Sequence, residues 1–150
     1  MDQMFPTSLY TSQFDNLRVF VFRSNSELGQ AAAHAAADKI HLSLAAHGVA
    51  NIILATGNSQ LTFFQAIRSL PIDWSRVNLF HMDEYVGLPP AHPASFPEFL
   101  RTHLVDHIKP RGFYPINAST GIPELICDAY TQLLKSFPPD LCILGIGENG

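Results

Sequence analysis

The sequence has little charge and almost no cysteine. Only 15% of its 150 residues are charged, and 9 Lys+Arg against 13 Asp+Glu give a formal net charge of −4. A nucleic-acid-binding domain normally carries a basic stripe, so this balance argues against nucleic acid as a partner. The two cysteines, Cys127 and Cys142, are too few for a disulfide framework or a structural zinc site, and we expect buried thiols.

Long apolar runs are also absent. No stretch approaches the roughly 18–20 apolar residues that a membrane-spanning helix needs. Residues 1–6 contain neither a basic nor an apolar segment, so no secretory signal is visible. We therefore expect a cytoplasmic protein without a membrane partner.

The composition is that of a folded chain. Hydrophobic residues make up 47% of the sequence, which is enough for one buried core and too much for a disordered tail. No internal repeat, linker or low-complexity segment interrupts it. We predict a single α/β domain over residues 1–150.

Strand-like and helix-like patterns alternate along the chain. Residues 17–22, 50–55, 77–82 and 140–147 have strand patterns, with a short extended piece at 113–116. Helices are predicted over 27–47, from 59, from 97 and over 123–137. In the first helix apolar residues recur at every fourth position: Leu28, Ala32, Ala36, Ile40 and Leu44. The alternation predicts a Rossmann-like three-layer fold, with a mostly parallel sheet and helices on both faces.

In such sheets ligands bind at the carboxyl ends of the strands. After the second predicted strand of the sheet comes Thr56-Gly57-Asn58-Ser59. Gly57 would let the backbone approach a ligand, and the next helix would offer unpaired N–H groups to a phosphate. The alternative is that Asn58 or Ser59 simply caps that helix.

Two acidic residues follow the next strand. Asp83 and Glu84 are neighbours in an extended segment, so their side chains should point to opposite faces. One could face the crevice as a general base while the other makes a structural hydrogen bond. The alternative of a solvated loop acid is favoured on local evidence alone.

The chain ends in glycines, and its histidines show no pattern for a metal. Residues 145–150 satisfy G-x-G-x-x-G, but neither the helix nor the acidic residue of a dinucleotide site follows. Glycines that let the backbone approach a ligand explain the segment better. The seven histidines have no metal-ligand spacing, so we predict no metal.

Three of these segments together resemble one family. The run 77–89, which contains Met82-Asp83-Glu84-Tyr85-Val86-Gly87 and continues to Phe96, strongly resembles the signature of the glucosamine-6-phosphate deaminase (isomerase) family. Residues 55–59 resemble its phosphate loop, and 144–150 resemble the first half of its glycine-rich catalytic segment. The related 6-phosphogluconolactonases share the fold but usually have Asp-Glu-Arg in place of Asp-Glu-Tyr.

The resemblance implies an amino-sugar phosphate as substrate, converted to fructose 6-phosphate with release of ammonia, and no cofactor. Asp83 matches the general base that moves a proton between C2 and C1. The phosphate and sugar positions match Thr56, Gly57, Asn58 and Ser59, with Gly147 in the glycine-rich segment. Glu84 and Asn149 complete our candidate catalytic residues.

The chain also departs from the family pattern. The family usually has Asp where this chain has Asn149, and Asn58-Ser59-Gln60 differs from its usual phosphate loop. Both departures favour a paralogue with a different sugar phosphate. The family's ring-opening histidine would follow Gly150, so we expect an N-terminal part of a longer protein, apparently truncated and inactive alone.

Two other functions stay open at this point. The parent protein could be a 6-phosphogluconolactonase-like hydrolase, although Tyr85-Val86-Gly87 argues against it. It could also be a non-catalytic sugar-phosphate-binding sensor, which Asn149 would favour. The sequence leaves a homo-oligomer open.

Overall fold

A computed structural model describes residues 6–147 of the chain. Its strands are β1 (Tyr10–Phe14), β2 (Leu17–Val21), β3 (Ala50–Leu54), β4 (Val77–His81), β5 (Gly112–Tyr114) and β6 (Leu141–Ile143). Its α-helices are α1 (Asn25–His47), α2 (Leu61–Ile67), α3 (Phe96–Leu100), α4 (Asp106–Ile108) and α5 (Pro123–Ser136). A π-helical turn, Arg101–Val105, joins α3 to α4, and 3₁₀ turns occupy Asn58–Gln60 and Trp74–Arg76.

The main sheet has four parallel strands in the order β5-β4-β3-β6. From β3 the chain moves outward through β4 to β5, and it then returns to add β6 on the other side of β3. The strand order therefore changes direction at β3, which is where a parallel α/β sheet forms its ligand crevice. The predicted α/β class and the parallel sheet are confirmed.

Helices lie on both faces of this sheet, but they cover them unequally. In β4, Val77 and Leu79 pack into the core with α1, α2 and Leu100 of α3. Phe80 points to the opposite face, because neighbouring residues of a strand alternate. There its ring stacks on Tyr114 and contacts Phe137 at the end of α5. No residue of α5 is buried, so that face is covered only in part.

The first predicted strand pairs differently from our expectation. Residues 17–21 form β2, but β2 pairs antiparallel with β1 in a separate two-stranded sheet. Asp15 adopts a positive φ of 50° in the tight connection between them. Strand β1 was not predicted, because its residues carry no regular apolar alternation.

Some burial expectations were wrong at the edges of the fold. Ala36, Ile40 and Leu44 of α1 are buried as predicted, whereas Leu28 is exposed near the hairpin. Cys127 and Cys142 are exposed free thiols rather than buried ones. They lie on α5 and on the edge strand β6, where few elements pack over the sheet. Among residues 6–147, no helix is long and apolar enough to cross a membrane.

A polar connection holds β6 against β3 at the base of the sheet. The Asn51 N–H donates to the Asp140 carboxylate at 2.8 Å, and the Asp140 N–H donates to the Asn51 carbonyl at 2.8 Å. The Asn51 side-chain amide donates to the carbonyl of Pro138, while its oxygen accepts from the Asn78 amide at 2.9 Å. These bonds place the start of β6 beside β3 although about ninety residues separate them.

Helices α1 and α2 touch at Gly29. A Cβ added there would lie 2.5 Å from the Thr62 hydroxyl oxygen and 2.6 Å from the Thr62 carbonyl carbon. The second contact is with backbone, so it cannot be relieved by a side-chain rotation. Only glycine lets the two helices approach this closely.

We predict that Gly29→Ala destabilises the protein. The higher helix propensity of alanine would add about 1 kcal/mol to the free energy of unfolding. Overpacking against a backbone lowers that free energy by roughly 1–3 kcal/mol, so the net effect should be a loss of stability. Urea unfolding of the complete protein should show a lower midpoint for this variant. Lys39→Ala, at an exposed position of the same helix, is the control and should shift stability by less than about 0.5 kcal/mol. A Gly29→Ala protein as stable as the wild type would contradict the packing argument.

Candidate functional site

Three loops leave the sheet at the same level. In the strand register Leu54 lies opposite both His81 and Ile143. The segments that follow β3, β4 and β6 therefore meet at one edge of the sheet, on either side of the change in strand order. The Ala55 N–H donates to the Ile143 carbonyl at 3.0 Å, which extends the β3–β6 pairing to this edge.

The loop after β3 is built around Gly57. Its φ of +102° is one that side-chain-bearing residues rarely adopt, and a Cβ there would meet nothing within 4 Å. The Gly57 carbonyl accepts from the Gln60 N–H at 3.0 Å and closes the 3₁₀ turn that leads into α2. Thr56 is half-buried, while Gly57, Asn58 and Ser59 are exposed.

The helix-cap interpretation of this loop was wrong. Within the described part of the chain, no side chain caps either the 3₁₀ turn or α2. The Ser59 hydroxyl instead accepts from the side-chain amide of Gln60 at 3.2 Å. The first N–H groups of this exposed turn therefore have no side-chain acceptor. Turns that bind anions share this feature, because such N–H groups can donate to the anion.

The glycine-rich segment lies against this loop. A Cβ on Gly145 would be 3.3 Å from the Gln60 amide nitrogen and 3.8 Å from the Ser59 hydroxyl. Gln60 is buried beneath the contact. Gly147 is exposed with open space around it, and Asn149 lies outside the described residues. The fold thus brings the predicted phosphate loop and the start of the glycine-rich segment together.

The two acids after β4 have different environments. Both carboxylate oxygens of Glu84 accept backbone hydrogen bonds, one from the Tyr85 N–H at 2.7 Å and one from the Phe96 N–H at 3.1 Å. Glu84 therefore ties the loop to the start of α3, as the structural acid of the pair. Asp83 is exposed at the carboxyl edge of the sheet. Its role as a base stays a prediction.

His81, the last residue of β4, was not among the predicted site residues. It is 1% exposed, and its ring Nε2 accepts from the Ile116 N–H at 2.8 Å. Burial lowers the pKa of His81 to about 4, although the nearby Asp83 acts to raise this pKa. The only sequence signal was an ionisable residue at the end of a mostly apolar strand.

Tyr130 of α5 holds the backbone of His81. Its hydroxyl accepts from the His81 N–H at 3.1 Å and lies within donating distance of the His81 and Tyr114 carbonyls, at 3.2 and 3.0 Å. Burial raises the pKa of the Tyr130 hydroxyl, so it stays protonated and able to donate. Nothing in the sequence distinguished Tyr130 from other residues of its helix.

Comparison with known proteins identifies the family. The model of the family "Glucosamine-6-phosphate isomerases/6-phosphogluconolactonase" matches residues 23–150. The chain is 33% identical over 134 residues to a glucosamine-6-phosphate deaminase of Lactobacillus delbrueckii subsp. bulgaricus, covering 89% of this chain and 55% of that protein. It is 39% identical over 97 residues to one of Bacillus cytotoxicus, covering 65% and 37%. The chain belongs to this family.

Solved structures include both branches of the family. A monomeric glucosamine-6-phosphate deaminase matches with a TM-score of 0.77 and 28% identity, over 85% of this chain and 54% of that one. A 6-phosphogluconolactonase from Shewanella baltica matches with a TM-score of 0.77 and 27% identity, over 86% and 56%. The chain spans about half the length of the relatives and structures that it matches.

The buried His81 predicts an acid-sensitive fold. Because its pKa falls from 6.5 when unfolded to about 4 when folded, the unfolded chain binds more protons between these values, and stability rises with pH across this window. Lowering the pH from 6.5 to 4 should cost on the order of 3 kcal/mol at this site.

Chemical denaturation of the complete protein at a series of pH values measures this loss. His81→Gln removes the titrating ring and keeps an acceptor for Ile116, so its stability should fall less steeply over the same range. Groups that do not interact with His81 titrate equally in both proteins and cancel in the difference. Identical slopes for the two proteins would contradict the prediction.

Proposed function

We propose that the complete protein containing this sequence is an amino-sugar-phosphate deaminase. It would convert glucosamine 6-phosphate and water to fructose 6-phosphate and ammonia. The observation that carries the proposal is the segment after β4, where Asp83 stands exposed at the carboxyl edge of the sheet within the deaminase-like run Met82–Gly87. Deaminases related at 33–39% identity support the same activity.

In this proposal Asp83 is the general base. With the sugar ring open, its carboxylate takes the proton from C2 and returns it to C1 through an enediol-like intermediate. The C2–nitrogen bond then becomes an imine, and water replaces the nitrogen to give the ketone and ammonia. A carboxylate on an exposed loop suits the first step, because its oxygens can accept a proton from a carbon of the bound sugar. Glu84 would position this loop through its two backbone hydrogen bonds.

The loop after β3 would hold the phosphate. Thr56, Gly57, Asn58 and Ser59 supply hydroxyl, amide and backbone donors around an exposed turn. Gly147 and the segment that precedes it would approach the sugar from the β6 side. Anchoring a phosphate that takes no part in the chemistry lets the protein orient C1 and C2 against Asp83. No organic cofactor or metal is needed for these steps.

A lactonase is the second candidate, because the Shewanella baltica lactonase matches the fold as well as the deaminase does. It too would bind a sugar phosphate at the same edge, but it would direct water to a lactone carbonyl. The Tyr85-Val86-Gly87 continuation favours the deaminase. Asn149 would favour a binding protein without turnover, or a deaminase for another sugar phosphate.

We further propose a cytoplasmic enzyme whose partner is a small sugar phosphate rather than a nucleic acid or a membrane. The excess of acidic over basic residues in the chain supports the exclusion of nucleic acid and membrane as partners. A homo-oligomer is compatible with the same surface chemistry. Residues 1–150 would belong to one sugar-phosphate isomerase-like domain, and they span about half the length of the relatives that they match.

We predict that Asp83→Asn abolishes turnover. The amide keeps the size of the side chain but cannot accept the C2 proton, so kcat should fall by about 10²–10⁴. The assay measures ammonia and fructose 6-phosphate released from glucosamine 6-phosphate by the complete protein. Asp106→Asn, at an exposed position of α4, is the matched control and should retain wild-type kcat.

The same protein preparations should be offered 6-phosphogluconolactone. Hydrolysis of the lactone without release of ammonia would favour the lactonase over the deaminase. Binding of glucosamine 6-phosphate without turnover, by a folded complete protein, would favour the sensor. Unchanged ammonia release by Asp83→Asn would exclude Asp83 as the base.

A further inference from the structure

A groove of about 270 Å³ lies between the proline-rich loop after β4 and the helical segment that follows it. The loop contributes two small apolar residues, and α3 with its π-helical turn contributes an acid, an aromatic ring, a hydroxyl and an imidazole. The lining residues are Ala91, Pro93, Glu98, Phe99, Thr102 and His103. We call this the α3 groove. It shares no residue with the predicted sugar-phosphate site.

The π-helical turn shapes the helical wall of the α3 groove. The Asp106 N–H donates to the Arg101 carbonyl five residues earlier, one residue further back than in an α-helix. In an α-helix residues five apart, such as Glu98 and His103, diverge by about four tenths of a turn, and a wider turn reduces this angle. The His103 ring lies on the Phe99 ring, with centroids 4.5 Å apart. Such π turns are frequent at functional sites.

Both walls of the α3 groove are held by contacts within the protein. Ser95 is 0% exposed, and its hydroxyl donates to the Pro90 carbonyl at 2.9 Å and accepts from the Glu98 N–H at 3.3 Å. Ser95 therefore ties the loop to the first turn of α3. On the other wall Phe99 contacts the buried ring of Phe64, with centroids 6.3 Å apart. The groove is thus formed without a ligand, as small-molecule sites usually are.

The charge of the lining favours a cation. As residues 6–147 define it, the lining contains one acidic side chain, Glu98, and no lysine or arginine. Arg101, on the same helical segment, instead lies over the Phe113 ring, 5.7 Å from its centroid. An anion would therefore be repelled by Glu98 with no basic group of the lining to offset it. In the same part of the chain no group of three or more His, Cys, Asp or Glu side chains could hold a metal ion, which leaves an organic cation.

We propose that the α3 groove binds the protonated amino group of a small molecule. An –NH₃⁺ group has three donors and no acceptor, and the side chains of Glu98, Thr102 and His103 can each supply one acceptor. The bond to the carboxylate would be charge-assisted and the strongest of the three. Ala91 and Pro93 would pack on the carbon part of the ligand. The groove is smaller than the roughly 300–1,000 Å³ of sites for drug-sized ligands, so its ligand is no larger than a monosaccharide.

Titrations of the complete protein test this site with two amines. Ethanolamine carries the ammonium group without a sugar ring, and glucosamine carries it on one; N-acetylglucosamine keeps the ring and lacks the charge. NMR of the backbone amides of residues 98–103 should show saturable shifts, with a Kd in the millimolar range for so few atoms. Shifts with both amines would assign any small alkylammonium ion, and shifts with glucosamine alone would assign an amino sugar. N-acetylglucosamine should leave these amides unchanged.

Substitutions in the lining should weaken this binding in proportion to the bond that they remove. Glu98→Gln keeps the size of the side chain and removes its charge, so Kd should rise about tenfold. Thr102→Val removes a hydroxyl from an exposed position and should raise Kd about threefold. Glu124→Gln makes the same charge change at an exposed position of α5, and it should bind as the wild type does. Unchanged amide spectra away from the groove show that each variant is folded.

Three results would overturn the proposal. The first is that neither amine gives a saturable shift at residues 98–103. The second is that N-acetylglucosamine binds there as well as glucosamine does, since recognition would then not depend on the ammonium charge. The third is binding that Asp83→Asn removes and Glu98→Gln leaves intact, which would place the amine at the carboxyl edge of the sheet. The test needs no turnover, so a protein that releases no ammonia would refute the deaminase function and leave this site to be judged on the titrations.

Discussion

The site depends on how the end of β4 is held. All five residues of this strand are buried, and its last residue, His81, is fixed through both its side chain and its backbone. The ring accepts from Ile116 after β5, and the peptide groups bond to the Tyr130 hydroxyl on α5. Two elements that come later in the chain therefore set the direction in which the backbone leaves the sheet. Asp83 follows two residues further on, so its placement depends on these contacts.

The other half of the site depends on the pairing of β3 with β6. Backbone and side-chain bonds between Asn51 and Asp140 set this pairing at the base of the sheet, and the Ala55–Ile143 bond carries it to the carboxyl edge. Gly145 then lies against Ser59 and Gln60 because both segments leave the sheet at the same level. The predicted phosphate loop and the glycine-rich segment come from distant parts of the sequence, and they become neighbours through the register of one short strand.

Local sequence patterns predicted the elements that lie in the core. The four-residue recurrence in α1 and the apolar runs of β3 and β4 are strong because these elements are buried. The hairpin of β1 and β2, the exposed Leu28 and the two exposed cysteines were not predicted, since they depend on which surfaces the rest of the fold covers. His81 was missed for a similar reason. Its partners Ile116 and Tyr130 are 35 and 49 residues away, and no local pattern indicates a contact over such separations.

The fold by itself does not choose between the two reactions of the family. A deaminase and a lactonase match this chain with the same TM-score, and one fold can carry more than one function. In the proposed function, the two reactions differ in the task of the Asp83 carboxylate after β4. Proton transfer between two adjacent carbons requires a base held in one orientation throughout both steps, whereas activation of a mobile water requires less. Asp83 follows a strand end that Ile116 and Tyr130 hold in place, and for this reason its surroundings bear on the proposed reaction more directly than the architecture does.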